Sequence, residues 1–170
     1  MTVEEAKRLL PKSLSESSQV WADLGCGSGT FSYSLAELLW PKSKIIAIDQ
    51  IHQNIIKEHN GIAIEFRKAN IEDELNIFPN IDGILTANVL HFIKEKRKII
   101  EKFKPVLVEN GKWIVIEYEH QKSDIYEPYP IPFEDLKRLF QESGYSKIEK
   151  IGERNSVYGG KMYSALISKT

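Results

Sequence analysis

The feature that most restricts the fold is the run VWADLGCGSGT at residues 20–30, an apolar stretch that breaks into Gly25, Gly27 and Gly29 and resumes with helical spacing. Residues 20–24 read as a buried strand, and residues 30–39 put Phe31, Leu35, Leu38 and Leu39 on one helical face before Pro41. A strand, a glycine turn and a helix in immediate succession begin a parallel α/β unit. Glycines in such a turn admit positive φ and let the backbone approach a ligand closely. The start of the next helix offers unpaired N–H groups to a carboxylate or phosphate. Spacing excludes two other nucleotide loops. The order is G-x-G-x-G rather than G-x-G-x-x-G, and no G-K-[ST] follows, so neither the dinucleotide fingerprint nor the P-loop is present.

The same alternation continues downstream. Residues 44–49 (KIIAID) form a short apolar run suited to a strand covered on both faces, and residues 50–59 follow with helical spacing. Ile62, Ile64 and Phe66 alternate as a third strand, residues 81–86 form a fourth, residues 94–107 a Lys-rich amphipathic helix, and residues 113–118 a fifth strand. Residues 133–142 form a helix with Glu134 and Asp135 in its first turn and Gly144 just past its end. Two β-like runs, 145–151 and 161–168, then succeed each other with no helix between them and are expected to pair antiparallel.

A chain of 170 residues makes one domain spanning 1–170, with residues 1–18 as a short N-terminal helical segment. Lys and Arg number 23 against 24 Asp and Glu, so no global charge draws the protein to nucleic acid, and the Lys-rich helix reads as a solvated face. The start MTVEEAKRLL lacks a secretory h-region, and the longest charge-free apolar stretch, residues 83–93, falls short of the roughly 18 needed to span a bilayer. A cytoplasmic location is expected. Cys26 is the one cysteine, and with four scattered histidines it makes no structural metal site.

Asp49 ends the second strand 20 residues after Gly29, where a carboxylate in a doubly wound sheet accepts both hydroxyls of an adenosine ribose. Asn70 follows the third strand, where its amide can meet an adenine edge, with Ile71 to cover the ring. Taken singly, the glycines also fit a tight turn, Asp49 a helix cap and Asn70 a loop. In order, however, the DLGCGSG run at 23–29, Asp49, ANIED at 69–73 and DGILTANVLHF at 82–92 resemble the successive motifs of the class I S-adenosylmethionine-dependent methyltransferases.

That resemblance implies a Rossmann-like, doubly wound, mostly parallel sheet of seven strands in the order 3-2-1-4-5-7-6, with strand 7 antiparallel. It implies S-adenosylmethionine as cofactor and S-adenosylhomocysteine as product. Gly25 and Gly27, with Cys26 between them, would line the methionine part, and Asp23 would lie near its amino group. Asp49 would hold the ribose, Gln50 and Ile51 would flank the adenine, Asn70 and Ile71 would contact its edge and face, and Ala87 would offer backbone to the amino acid end. The family often has aspartate where this chain has Asn70.

Methyl transfer from a sulfonium is an in-line displacement in which the protein aligns, excludes water and, for a protic acceptor, takes up a proton. No covalent enzyme intermediate is needed, so Cys26 reads as packing rather than as a nucleophile. His91 beyond the fourth strand and Tyr118 ending the fifth are the expected proton-handling residues, with Glu117 and His120 as comparable candidates. Residues 119–132, with Tyr126, Tyr129 and three prolines, are the expected acceptor-site loop. The short N-terminal segment leaves the acceptor side open, for a large substrate or for a partner chain to complete. An Asn-Pro-Pro-Tyr tetrad is absent, which disfavours amino-adenine and glutamine acceptors; a small molecule methylated on O, N or C is expected. The alternatives are a catalytically silent S-adenosylmethionine-binding partner or sensor module and, against the glycine spacing, an NAD-dependent oxidoreductase.

Overall fold

The computed structural model describes residues 1–73, 80–156 and 159–169. In chain order the strands are β1 (Val20–Leu24), β2 (Lys44–Asp49), β3 (Glu58–His59), β4 (Ile62–Lys68), β5 (Ile81–Ala87), β6 (Leu107–Tyr118), β7 (Lys147–Asn155) and β8 (Lys161–Ser168). They form one 8-stranded sheet in the order β3-β4-β2-β1-β5-β6-β8-β7. The five central strands, β4, β2, β1, β5 and β6, are parallel, and β8 runs antiparallel to both β6 and β7. With β3 set aside, this is the order expected from the sequence, including the single reversed strand.

Helices α1 (Val3–Lys7) and α2 (Thr30–Ala36) cover one face of the sheet, and α3 (Lys96–Phe103) and α4 (Phe133–Glu142) the other. The two-residue period of the strands sends alternate side chains to the two cores. Trp21, Ile45 and Ala47 join Phe31 and Leu35 of α2 on one side; Ala22, Ile46, Ile48 and Trp113 meet Phe103 of α3 and Phe140 of α4 on the other. Trp113 is held edge-on by Phe140 at 5.5 Å between centroids and donates from Nε1 to the Tyr145 hydroxyl at 3.0 Å. Gly83 is obligatory beneath Trp21, because a Cβ there would lie 2.4 Å from the indole ring.

The structure corrects the reading of residues 50–59, which form no helix. Ile51, Ile55 and Ile56 have helical spacing, but Ile51 and Ile56 are exposed and only Ile55 packs against the core. Three β-branched residues among His and Asn make a poor helix, and Asp49 Oδ1 accepts the Ile51 N–H at 2.9 Å, turning the chain at the first step. Glu58–His59 instead becomes an edge strand joined to β4 through Asn60 and Gly61, whose φ values of 52° and 74° are those of a type I′ hairpin. This is the eighth strand.

Other boundaries move for local reasons. The helix expected over 94–107 shortens to α3 because Pro105 has no N–H to continue it, and Leu107 already pairs with Ile81 in β6. A register shift then carries β6 past Asn110 and Gly111 to Trp113. The N-terminal segment is helical only at α1, where Thr2 and Glu5 form a capping box, and continues as irregular chain burying Leu9, Leu10 and Leu14. Residues 119–132 carry no helix or strand.

Candidate active site

The loop between β1 and α2 lies at the carboxyl ends of the parallel strands. Gly25, Gly27 and Gly29 all have positive φ, at 72°, 50° and 86°. Hydrogen bonds to the neighbouring strand hold the loop: the Gly25 and Cys26 N–H groups donate to the Ile48 carbonyl at 2.8 and 2.9 Å, and the Gly27 N–H donates to Asp49 Oδ2 at 2.9 Å. Asp49 thus organises the glycine turn through one oxygen and its own following turn through the other. Each carboxylate oxygen keeps a further lone pair for a ligand hydroxyl. Gly25 also permits a close approach from across the site, since a Cβ there would sit 2.4 Å from Val89 Cγ2.

Two cavities meet over this loop. One, of about 340 Å³, is lined by Gly25, Asp49, Gln50, Ile51, Asn70 and Ile71, with Asn88 and Phe92 opposite. The other, of about 390 Å³, is lined by Asp23, Gly25, Cys26, Gly27 and Ala87, again with Asn88. Every residue expected to hold the cofactor therefore borders one cavity or the other. Asn70 Oδ1 accepts the Glu72 N–H at 3.0 Å, so its amide hydrogens are what it offers a ligand. Asp23 is buried; burial and the neighbouring Asp49 push its carboxyl up to about 7, against the opposing 2.5 Å hydrogen bond from Ser32 Oγ. Burial raises the Cys26 thiol well above its ordinary value, aided by Asp23 and Asp49, which makes it a packing group.

His91 and Tyr118 stand one layer behind. Neither borders the two cavities. The buried Glu117 gathers this layer: Oε1 accepts the N–H groups of Val89 and Leu90 at 3.0 and 2.7 Å, and Oε2 lies 2.7 Å from His91 Nδ1. The His91 ring is 4.2 Å from that of Phe92 and 5.8 Å from that of Tyr118. His120 lies further along, with Nε2 2.8 Å from Glu127 Oε2.

The 119–132 segment is stapled over the strand ends. The Tyr129 N–H donates to the His91 carbonyl at 2.9 Å, and Lys96 Nζ bridges the Ile93 and Tyr129 carbonyls at 2.8 and 2.7 Å. Burial holds the Lys96 ammonium below its ordinary value, partly offset by Glu117. Asp124 accepts the Tyr126 and Glu127 N–H groups, folding a tip that exposes Ile125 and Tyr126; Phe92 is exposed as well. Asn88, Val89 and Phe92 lie within the 82–92 motif but have no individual role in the sequence reading; the one local hint is an asparagine just past a strand, a residue tolerant of the left-handed φ of 58° it adopts. Among the described residues no group of His, Cys, Asp or Glu could hold a metal ion, and no helix is long and apolar enough to cross a membrane.

This geometry meets a family pattern over most of the chain: residues 15–158 match the family described as a methyltransferase domain. The chain belongs to the methyltransferase-domain family. The fold of this methyltransferase is shared by solved S-adenosylmethionine-dependent methyltransferases. An arsenic (III) S-adenosylmethionine methyltransferase from Chlamydomonas reinhardtii superposes with a TM-score of 0.70 at 15% identity, over 97% of this chain and 72% of that one. The 1,6-didemethyltoxoflavin-N1-methyltransferase of Burkholderia thailandensis, solved with bound 1,6-didemethyltoxoflavin and S-adenosylhomocysteine, gives 0.68 at 16%, over 90% and 72%. A SAM dependent methyltransferase from Aquifex aeolicus gives 0.62 at 16%, over 98% and 99%. No curated protein matches the methyltransferase in sequence.

Proposed function

We propose that this methyltransferase binds S-adenosylmethionine across the two joined cavities and moves its methyl group to an O, N or C atom of a small molecule by in-line displacement. The observation that carries the reading is the meeting of both cavities at Gly25, with the strand-end acid Asp49 lining one and the buried acid Asp23 lining the other. When bound, the cofactor supplies an electrophilic methyl on a positively charged sulfur. Asp49 takes the ribose hydroxyls, Gln50 and Ile51 flank the adenine, and Asn70 and Ile71 meet its edge and face. Asp23 and the backbone at Gly25, Gly27 and Ala87 receive the amino acid end, with Cys26 packed behind.

The acceptor enters from the side of Phe92 and the 119–132 segment, whose exposed aromatic surface suits an apolar molecule. Alignment and exclusion of water supply most of the acceleration. With Nδ1 bound to Glu117 and the ring buried behind the cavity wall, His91 takes a proton from a protic acceptor at Nε2 only through an intervening group, and Tyr118 packs beside its ring. Calorimetric titration with S-adenosylmethionine, S-adenosylhomocysteine and NADH in parallel tests the reading. Saturable binding of the first two and not the third is expected; binding of NADH alone overturns it.

A further inference from the structure

Two serines of α2, Ser32 and Ser34, are fully buried among Phe31, Leu35 and Ala36 on the face turned to the sheet. Their hydroxyls serve different ends. Ser34 Oγ lies 2.8 Å from the Thr30 carbonyl of its own helix and 2.9 Å from the Val3 carbonyl, the back-bond usual for a serine inside a helix. Ser32 Oγ instead crosses to β1 and donates to Asp23 Oδ2 at 2.5 Å. Alanine has the higher helix propensity and no hydroxyl to bury, so what Ser32 adds to α2 is this bond.

Asp23 borders the cavity assigned to the amino acid end of the cofactor, whereas Ser32 borders neither cavity. The other surroundings of Asp23 resist a negative charge. Its register partners, Ala47 in β2 and Leu85 in β5, are apolar, and Cys26 in the loop stays a neutral thiol. Burial favours the neutral carboxyl, the Asp49 carboxylate adds repulsion, and the bond from Ser32 acts the other way. A hydroxyl donates more strongly to a carboxylate than to a carboxylic acid, so its bond favours the ionised form. With Oδ2 engaged by Ser32, Oδ1 is left for a ligand ammonium.

Resting on the cofactor reading above, we propose that Ser32 is a positioning residue for cofactor binding: its hydroxyl orients the Asp23 carboxylate and favours its ionised form, so that the ammonium of the amino acid end meets a negative charge. Ser32 acts through Asp23 and does not touch the cofactor. Its removal should therefore change the pH at which the amino acid end is held, and leave the adenosine end alone.

Two probes separate the ends: S-adenosylhomocysteine, and 5′-methylthioadenosine, which keeps the adenosine and thioether but lacks the amino acid. Both are titrated calorimetrically from about pH 5.5 to about pH 8.5 on the wild-type chain and on Ser32→Ala, Ser32→Cys and Asp23→Asn. Wild-type affinity for S-adenosylhomocysteine should rise along an acid limb that Asp23→Asn erases. Ser32→Ala should move the midpoint of that limb up by about one pH unit, a tenfold change in proton affinity, as loss of one hydrogen bond to a charged group gives. Binding should then be about fivefold weaker than wild type near pH 7 and within about twofold of it near pH 8.5, with 5′-methylthioadenosine changed by less than about twofold throughout. Ser32→Cys, with a weaker donor at the same place, should give an intermediate midpoint. A midpoint unmoved in both Ser32 variants, or equal weakening of both probes at every pH, overturns the assignment. So does an acid limb that is absent from wild type or persists in Asp23→Asn. Failure of the wild-type chain to bind S-adenosylhomocysteine at any pH overturns the cofactor reading itself, and this inference with it.

Discussion

At the scale of single residues, two acids of the glycine loop act differently. Asp49 uses both oxygens on backbone N–H groups at 2.9 Å while retaining lone pairs for the ribose contacts proposed above. Asp49→Ala should therefore both loosen the Gly27 turn and delete the sugar contacts. Affinity for S-adenosylmethionine should drop at least about a hundredfold by calorimetry, given about 1.5–3 kcal/mol per charge-assisted hydrogen bond. Asp23 links the site to pH. Its native carboxyl holds a proton up to about 7, against an ordinary value of 3.8, so the native state binds more protons than the unfolded chain within that interval. Its contribution to stability is accordingly full at low pH and is lost as pH rises from about 4 to about 7. Denaturant unfolding should show a falling stability over this window that flattens in Asp23→Asn. Cofactor affinity should move the opposite way, rising through pH 7, because the ionised carboxylate attracts the cofactor ammonium. Asp49 was readable from its position at a strand end, whereas the shift at Asp23 was not, since it depends on burial beneath α2.

Among the elements, the turn after β5 is held by a residue of another strand. Glu117 reaches it from β6 and satisfies two backbone N–H groups and the His91 imidazole. Removing that carboxylate in Glu117→Ala leaves two buried donors and a half-buried one without an acceptor. A loss of about 3–5 kcal/mol in unfolding free energy is expected, with a smaller loss for Glu117→Gln, which keeps an acceptor oxygen. The sequence places His91 and Tyr118 near the ligand edge but does not reveal that Glu117 binds His91 or that both rings sit behind the cavity wall. The partners lie 26 residues apart, and no periodicity joins them. Residues 50–59 show the opposite case. Helical spacing of isoleucines suggested a helix, but the Asn60-Gly61 dipeptide was the stronger signal, because a two-residue type I′ turn ties Glu58–His59 to β4 whatever the preceding spacing.

For the whole molecule, stability rests on two cores separated by one sheet. Phe140 ties α4 to Trp113 and Tyr145 on the face away from the N-terminal helices. Phe140→Ala should lower unfolding free energy by about 3–5 kcal/mol, as a large aromatic cavity does, measured by urea denaturation. The site lies at the strand ends, so such a variant should keep its cofactor affinity wherever it remains folded. Legible in the sequence were the alternation of strands and helices, the parallel sheet it requires, and the residues that line the cleft at the strand ends. All of these are local signals: period, punctuation by glycine, and acids at strand termini. Tertiary structure alone decided the hairpin at the sheet edge, the Glu117–His91 pairing and the seat of Asn88 at the junction of the two cavities. Each depends on which groups distant chain segments bring together, and hence on burial and on hydrogen bonds that form only once the sheet has closed.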